Sequence, residues 1–399
     1  MLQRTVKILR DLIGFDTTSR LSNLSLIEAI QLQFDALDIP YELTFNEQRS
    51  KANLFATIGE ENRPGLVLSG HTDVVPVDGQ DWSSDPFVLR EQDGKLFGRG
   101  SCDMKGFVAV CLAMAESFKQ ANLPIPIHFA FSYDEEVGCL GVRSLIEELD
   151  KRPVKPLACI VGEPTSMQII AAHKGMLDTR CSIKGCAGHS SLPDRGVNAI
   201  VTASRLIEKL QQVFEEIKRN GPFDARFTPP HSTLHVGKIN GGTAVNIIPE
   251  HCEIEYEIRN IPGQDPRDIA YQVEHYAEQE LLPDMQGKFS GSNIQWQTQA
   301  LFPALDTPES MPVNDWMKTV LGDTSSVGAV SYGTEAGLFS QIGIPTIVCG
   351  PGSIKQAHRP DEYVEVSQIA ACITFMQSII EQLQAGQWLE PDNSGSDVQ

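Results

Sequence analysis

The sequence predicts an α/β fold: a mixed sheet flanked by helices, with a smaller α+β domain of order βαββαβ inserted into it. Three observations carry this. Short runs rich in Val, Ile and Phe each end in a polar cluster bounded by Gly or Pro, as buried strands do. Helical stretches lie between several of those runs, the pattern of an α/β domain. The middle of the chain instead holds strictly alternating strands, the mark of a half-buried antiparallel sheet. At 399 residues the chain is too long for one ordinary core, which implies two domains or three.

Taken in order, the chain opens on MLQRTVKILRDLIGF, where Arg4, Lys7, Arg10 and Asp11 interrupt the apolar residues at helical spacing. That is an amphipathic helix and not a signal peptide. Residues 65–70 form a run that leads into His71-Thr72-Asp73, and residues 96–100 lead through Ser101 and Cys102 into Asp103. Residues 125–132 lead into Asp134-Glu135-Glu136, and 157–161 into Gly162-Glu163-Pro164. Residues 344–349 lead into Gly350-Pro351-Gly352 and then His358. The clearest helices between them span 107–119 and 141–149.

The central segment predicts a strand over 177–184, a helix over 198–218, strands over 233–239 and 246–259, a helix over 265–282 and a strand over 294–298. In the fourth of these elements Cys252, Ile254, Tyr256 and Ile258 alternate with His251, Glu253, Glu255 and Glu257. The expected organisation is therefore 1–175, an insert over 176–300, and a resumed first domain over 301–399. The polar tail after Glu390 is expected to fray.

Composition excludes several classes. A formal charge of −20 argues against nucleic acid, because phosphate binding needs a basic face. No apolar run approaches the ~18 residues of a membrane span, so a cytoplasmic protein is expected. The nine cysteines are odd in number and hold no CxxC pair, so a disulfide framework is not expected. Cys102, beside Asp103, reads as a small buried residue.

Ligands of open α/β sheets bind beyond the carboxyl ends of the strands, and here five runs each end in a metal-ligand type. His71-x-Asp73 suits a metal ligand with a carboxylate to orient its ring, or a satisfied structural histidine. Asp103 could cap a helix, or its two oxygens could bridge two cations. Three adjacent carboxylates at 134–136 repel one another, a cost that a bound dication turns into a gain. Adjacent residues of an extended chain face opposite sides, so Glu136 could ligate while Glu135 faces substrate. With Glu163 and His358 the set is two His and three carboxylates. One ion would take His71, Asp103 and Glu163; the other Asp103, Glu136 and His358. Mixed nitrogen and oxygen donors favour zinc, with cobalt or manganese as substitutes.

The stretches SGHTDVVPV, GRGSCDMKGF, YDEEVG, VGEPTS and QAHRPDEY together resemble the M20 metallopeptidase family, and the resemblance covers almost the whole chain. It implies a zinc-exopeptidase-like catalytic domain holding two divalent metal ions, Zn2+ foremost, and hydrolysis of the amide bond of an N-acyl amino acid. It implies that Glu135 is the general base, Asp73 the orienting carboxylate, and the insert a lid that forms the interface of a homodimer. His189 then matches a lid histidine that reaches the partner's active site. Asn246 and Arg259 match substrate-binding lid residues, Gly333 and Thr334 a substrate-contacting loop. The peptide after Asp103 is expected to be cis. The competing expectations are a different acyl or peptide substrate, a one-metal site, and a non-catalytic metal-stabilised binding protein.

Overall fold

The computed structural model describes residues 1–322 and 326–387; the tail after Glu390 lies outside them. The chain divides into two compact units, one of residues 1–172, 305–329 and 334–399, the other of residues 173–304 and 330–333.

The first unit opens with α1 (Leu2–Ile13), which buries Ile8, Leu9, Leu12 and Ile13 on one face, and α2 (Leu24–Asp35). Strands β1 (Tyr41–Phe45), β2 (Ala52–Ile58) and β3 (Leu66–His71) follow, then a short hairpin of β4 (Arg90–Gln92) and β5 (Lys95–Phe97). Next come α3 (Lys105–Gln120), β6 (Ile127–Ser132), α4 (Val142–Lys151), β7 (Ala158–Val161) and β8 (Ile169–His173).

After the second unit the chain adds β15 (Leu305–Asp306), α8 (Pro312–Leu321), β16 (Val327–Val330), α9 (Ala336–Gln341), β17 (Thr346–Val348), β18 (Tyr363–Glu365) and α10 (Val366–Gln384). The central sheet runs β1-β2-β6-β3-β7-β17-β8-β15, with β16 paired to β8. Its middle strands β6, β3, β7 and β17 are mutually parallel, so their carboxyl ends share one edge. Both β3 and β6 are wholly buried, as strands covered on both faces must be. Helix α3 is buried from Lys105 through Ala115, because it lies between the sheet and α1 and α10. That is why its sequence is apolar almost all round.

Asp103 differs from the expectation that every ligand follows a strand of one sheet. The run over 96–100 starts in β5 and leaves it after Phe97, and β5 pairs with β18 and β4 in a separate three-stranded antiparallel sheet. Asp103 instead lies in the turn before α3. Nor does it cap that helix, whose N-cap is Met104.

The second unit holds β9 (Met176–Lys184), β10 (Gly188–His189), α5 (Ala199–Asn220), β11 (Thr233–Gly241), β12 (Ile247–Ile248), β13 (His251–Arg259), α6 (Pro266–Tyr276), α7 (Leu282–Lys288) and β14 (Asn293–Phe302). Four of its strands make an antiparallel sheet in the order β11-β13-β9-β14. Cys252, Ile254, Tyr256 and Ile258 of β13 are buried as the alternation requires. Asn198 caps α5 by accepting from the Val201 amide, and Asp265 caps α6 with Pro266 in its first turn. The expected strand over 246–259 is two strands, broken at Pro249-Glu250, because proline has no N–H for a ladder. The helix expected to end at 282 continues through a π turn (Ala277–Leu281) into α7.

One buried histidine gives a pH prediction. His128 of β6 is 4 % exposed, its Nδ1 lies 3.0 Å from the Thr57 hydroxyl, and its ring stacks on Phe55. Burial, aided by the charge of Arg152, pulls its pKa down to about 4. The unfolded ring titrates near ~6.5, so its contribution is complete above that pH and is lost as pH falls toward the folded value. The loss is on the order of 3 kcal/mol. Urea unfolding at pH 7 and pH 4.5 should show it, and His128→Gln should flatten the slope; an unchanged slope in the variant would refute the assignment.

Candidate metal centre

Side chains from five segments meet near the carboxyl edge of the parallel strands. His71 is the last residue of β3 and is fully buried. Its Nδ1 lies 2.9 Å from the Asp73 carbonyl oxygen, which fits Nδ1–H donating and leaves Nε2 free to ligate. That Nε2 faces Asp103 Oδ1 at 3.0 Å and Glu163 Oε1 at 3.5 Å. His358 Nε2 faces the other oxygen of Asp103 at 3.4 Å and Glu136 Oε2 at 2.9 Å. Asp103 therefore stands between two imidazoles, one oxygen toward each.

Each position has a local cause. Asp103 is held by Glu362, whose buried carboxylate accepts the amides of Gly100, Cys102 and Asp103 at 3.1, 2.9 and 3.0 Å. Arg99 pairs with the same carboxylate at 2.6 Å. The Asp103–Met104 peptide is cis, as expected. Glu163 follows Gly162, where a Cβ would stand 2.0 Å from the Phe107 ring; only glycine lets the strand end lie on α3. His358 sits ten residues past β17 at φ +60°, a left-handed conformation rare outside glycine. Its carbonyl accepts from Gln80 Nε2 at 3.2 Å.

The 134–136 segment is a turn and not an extended strand. Asp134 has φ +55°, and the Gly138 amide donates to the Glu135 carbonyl. Neighbouring carboxylates consequently do not point to opposite sides. Glu135 has an oxygen within 4.8 Å of ligand atoms of both His71 and Glu163, and Glu136 stands in the same relation to His71 and Asp103. The Asp73 carboxylate holds this turn. It accepts the amides of Glu135 and Glu136 at 3.1 and 3.3 Å and the Ser19 hydroxyl at 2.7 Å. It lies 3.6 Å from His71 Nδ1, so the nearer partner of the ring is the Asp73 backbone. Lys51 pairs with Asp134 at 2.6 Å and donates to the Ser19 carbonyl. The Cys139 thiol donates to Glu135 Oε1 at 3.4 Å.

The electrostatics ask for positive charge. Burial, together with Glu136 and Asp103, raises the Glu135 carboxyl to about 8 against the pull of His71. Burial and Asp103 raise Glu136 to about 7, and burial with Asp103 lifts Glu163 well above its usual range. Asp103 goes the other way: burial would raise it, but hydrogen bonds from His358 and His71 hold it low. Hydrogen bonds to Asp103 and Glu136 push His358 up to about 10. Glu136 Oε1 is buried without a hydrogen-bond partner. An orphaned carboxylate oxygen, a carboxylate with both oxygens directed at imidazoles, and an oxygen-rich donor set with two histidines all fit divalent cations.

The remaining residues singled out in the sequence lie as follows. His189, Asn246, Arg259 and Gly333 belong to the second unit, and Thr334 to the first. His189 ends β10, is exposed, and its Nδ1 lies 2.7 Å from the Ser191 hydroxyl. Asn246 is exposed and its carbonyl accepts the Ser190 amide. Arg259 pairs with Glu257 at 3.1 Å. At Gly333 a Cβ would meet the Phe302 ring at 2.1 Å. Thr334 is buried and its hydroxyl accepts the Ala336 amide.

Sequence reasoning missed Ser19, Lys51, Cys139, Glu335 and Glu362. Glu362 stands in the same QAHRPDEY stretch as His358, and Glu335 in GTEAG, but nothing local distinguishes a buried carboxylate from a solvated one.

The chain is similar to several known proteins. Acetylornithine deacetylase of Klebsiella pneumoniae (strain 342) is 38% identical over 360 residues, spanning 90% of this chain and 91% of that protein. Among solved structures, an M20 family metallo-carboxypeptidase from Sulfolobus solfataricus superposes with a TM-score of 0.76 at 17% identity, covering 96% of this chain and 99% of that one. A Bacillus subtilis protein described as a dinuclear metal binding peptidase of the M20 family gives 0.65 at 16% identity, over 96% and 98%. The model of peptidase family M20/M25/M40 matches residues 67–382. The chain is thus a hydrolase of mixed α/β, zinc-exopeptidase-like fold, and it belongs to peptidase family M20/M25/M40.

Proposed function

We propose that the protein removes the acetyl group from N2-acetyl-L-ornithine, giving L-ornithine and acetate, a step of arginine biosynthesis. His71, Asp103 and Glu163 would hold one divalent ion, and Asp103, Glu136 and His358 a second; zinc suits the donors best, with cobalt as substitute. The observation that carries the metal reading is Asp103, with one oxygen 3.0 Å from one imidazole and the other 3.4 Å from the second. The substrate is supported by the 38% identity to the acetylornithine deacetylase.

Bound in that set, the ions would polarise the amide carbonyl and acidify the attacking water. Glu135 would accept a proton from that water as its oxygen adds to the carbonyl carbon, and would pass it to the amine nitrogen as the C–N bond breaks and acetate forms. Asp73 keeps Glu135 in place through its backbone amide. His189 serves as a donor to the developing oxyanion, contributed across a homodimer built through the second unit. Arg259 exchanges Glu257 for the α-carboxylate of the substrate, a charge-assisted contact that orients the scissile bond. Asn246 and the Gly333-Thr334 loop line the substrate. No helix among the described residues is long and apolar enough to cross a membrane, and a cytoplasmic site of action accords with this function.

The test is a substrate panel before and after chelation. N-Acetylornithine should be turned over with a higher kcat/KM than N-acetylmethionine, succinyl-diaminopimelate or a dipeptide. Chelation should abolish the activity and zinc or cobalt restore it. Preference for another substrate would move the protein within its family. No turnover of any member with added zinc would leave a metal-stabilised binding protein.

A further inference from the structure

We infer that Glu335 is a positioning residue of the metal centre: it braces the strand ends that carry His71 and the Glu135-Glu136 turn, and places beside them a buried negative charge for bound cations to balance. The inference rests on the two-metal reading above.

Glu335 directly precedes α9 and is 0 % exposed. One carboxylate oxygen accepts from the Ser69 hydroxyl at 2.6 Å and the other from the Ser132 hydroxyl at 2.7 Å. Those two serines are not arbitrary neighbours. Ser69 precedes His71 by two residues on β3, so both side chains lie on the same face of the sheet. Ser132 is the register partner of His71 on the parallel strand β6, so it lies on that face too. Ser132 is also the last residue of β6, and the chain turns directly from it into 134–136. A single carboxylate therefore ties together the ends of two strands that deliver His71, Glu135 and Glu136.

Charge gives the second part of the argument. A carboxylate taken wholly from water is costly unless its charge is met. Burial raises the Glu335 carboxyl, the two serine hydroxyls offset this, and the field of His71 favours its charge while Asp73 opposes it. Cations held by His71 would help to meet that buried charge. The brace and the charge thus act on the same ligands, without Glu335 ligating anything itself.

The experiment compares the full-length wild type with Glu335→Gln and Glu335→Asp. Zinc affinity is measured by competition with a chelator, and thermal unfolding is followed with and without zinc. Glu335→Gln keeps the size of the side chain and removes its charge. It should bind zinc about 10–100-fold more weakly. Its metal-free Tm should equal or exceed that of the metal-free wild type, because one charge has left a crowded acidic cluster. Glu335→Asp, which keeps the charge, should recover part of the zinc affinity. Wild-type zinc affinity in Glu335→Gln, or a metal-free Tm well below wild type with unchanged affinity, would make Glu335 a simple structural brace and overturn the inference. A wild type that binds neither zinc nor cobalt overturns the two-metal reading itself, which separates the two failures.

Discussion

Glu135→Gln should retain wild-type metal content while losing turnover by about 10²–10⁴-fold, the range for removal of a general base. The amide is nearly isosteric, so the Asp73 contact to the residue-135 amide survives. Metal content is an informative readout here because Glu135 lies within 4.8 Å of His71 and Glu163 ligand atoms. If the variant binds one ion fewer, Glu135 is a ligand and the base must be sought elsewhere. The same variant tests the lid. Mixed with a chain carrying His189→Ala, it should form heterodimers with one site that has both Glu135 and a partner-supplied His189. Activity should reappear on mixing. Confirmed heterodimers without recovered activity would refute a role for His189 across the interface.

Asp103→Ala should lose both ions, whereas His358→Ala should lose one. The reason is geometric: the two oxygens of Asp103 face His71 and His358 separately, at 3.0 and 3.4 Å, while the carboxylates that His358 meets among the described residues are Asp103 and Glu136. Turnover should fall to the level of chelated wild type, since Glu135 would have no acidified water to deprotonate. Metal stoichiometry by elemental analysis decides the matter, with circular dichroism as the control for folding. Retention of one tightly bound ion by Asp103→Ala would argue against a bridging carboxylate and in favour of a one-metal centre.

Much of this centre was readable from local pattern. The strand before His71, the strand before the 134–136 carboxylates and the strand before Glu163 are largely apolar runs closed by polar or Gly-bounded residues, and such runs declare themselves locally. Helix α3 was readable because it begins after a Gly-rich turn and carries no breaker after Gly106. The errors have equally physical causes. The run over 96–100 does begin in a strand, but three residues of β5 could not reveal that it pairs in a different sheet. The 246–259 stretch hid a proline break just before a good alternation. The 134–136 carboxylates were treated as extended, although Asp134 adopts a left-handed conformation.

The sequence by itself determined which residues could ligate a metal, and that most of them close buried strands, because donor chemistry and strand periodicity are local properties. Only the tertiary structure decided how those donors are shared and held. Ser69 meets Glu335 across 266 positions, and Glu362 accepts the Asp103 amide across 259. Contacts at such separations leave no spacing to read. Whether a carboxylate sits in water or beneath a metal centre depends on what the rest of the chain packs around it, and that packing sets its charge, its partners and its use.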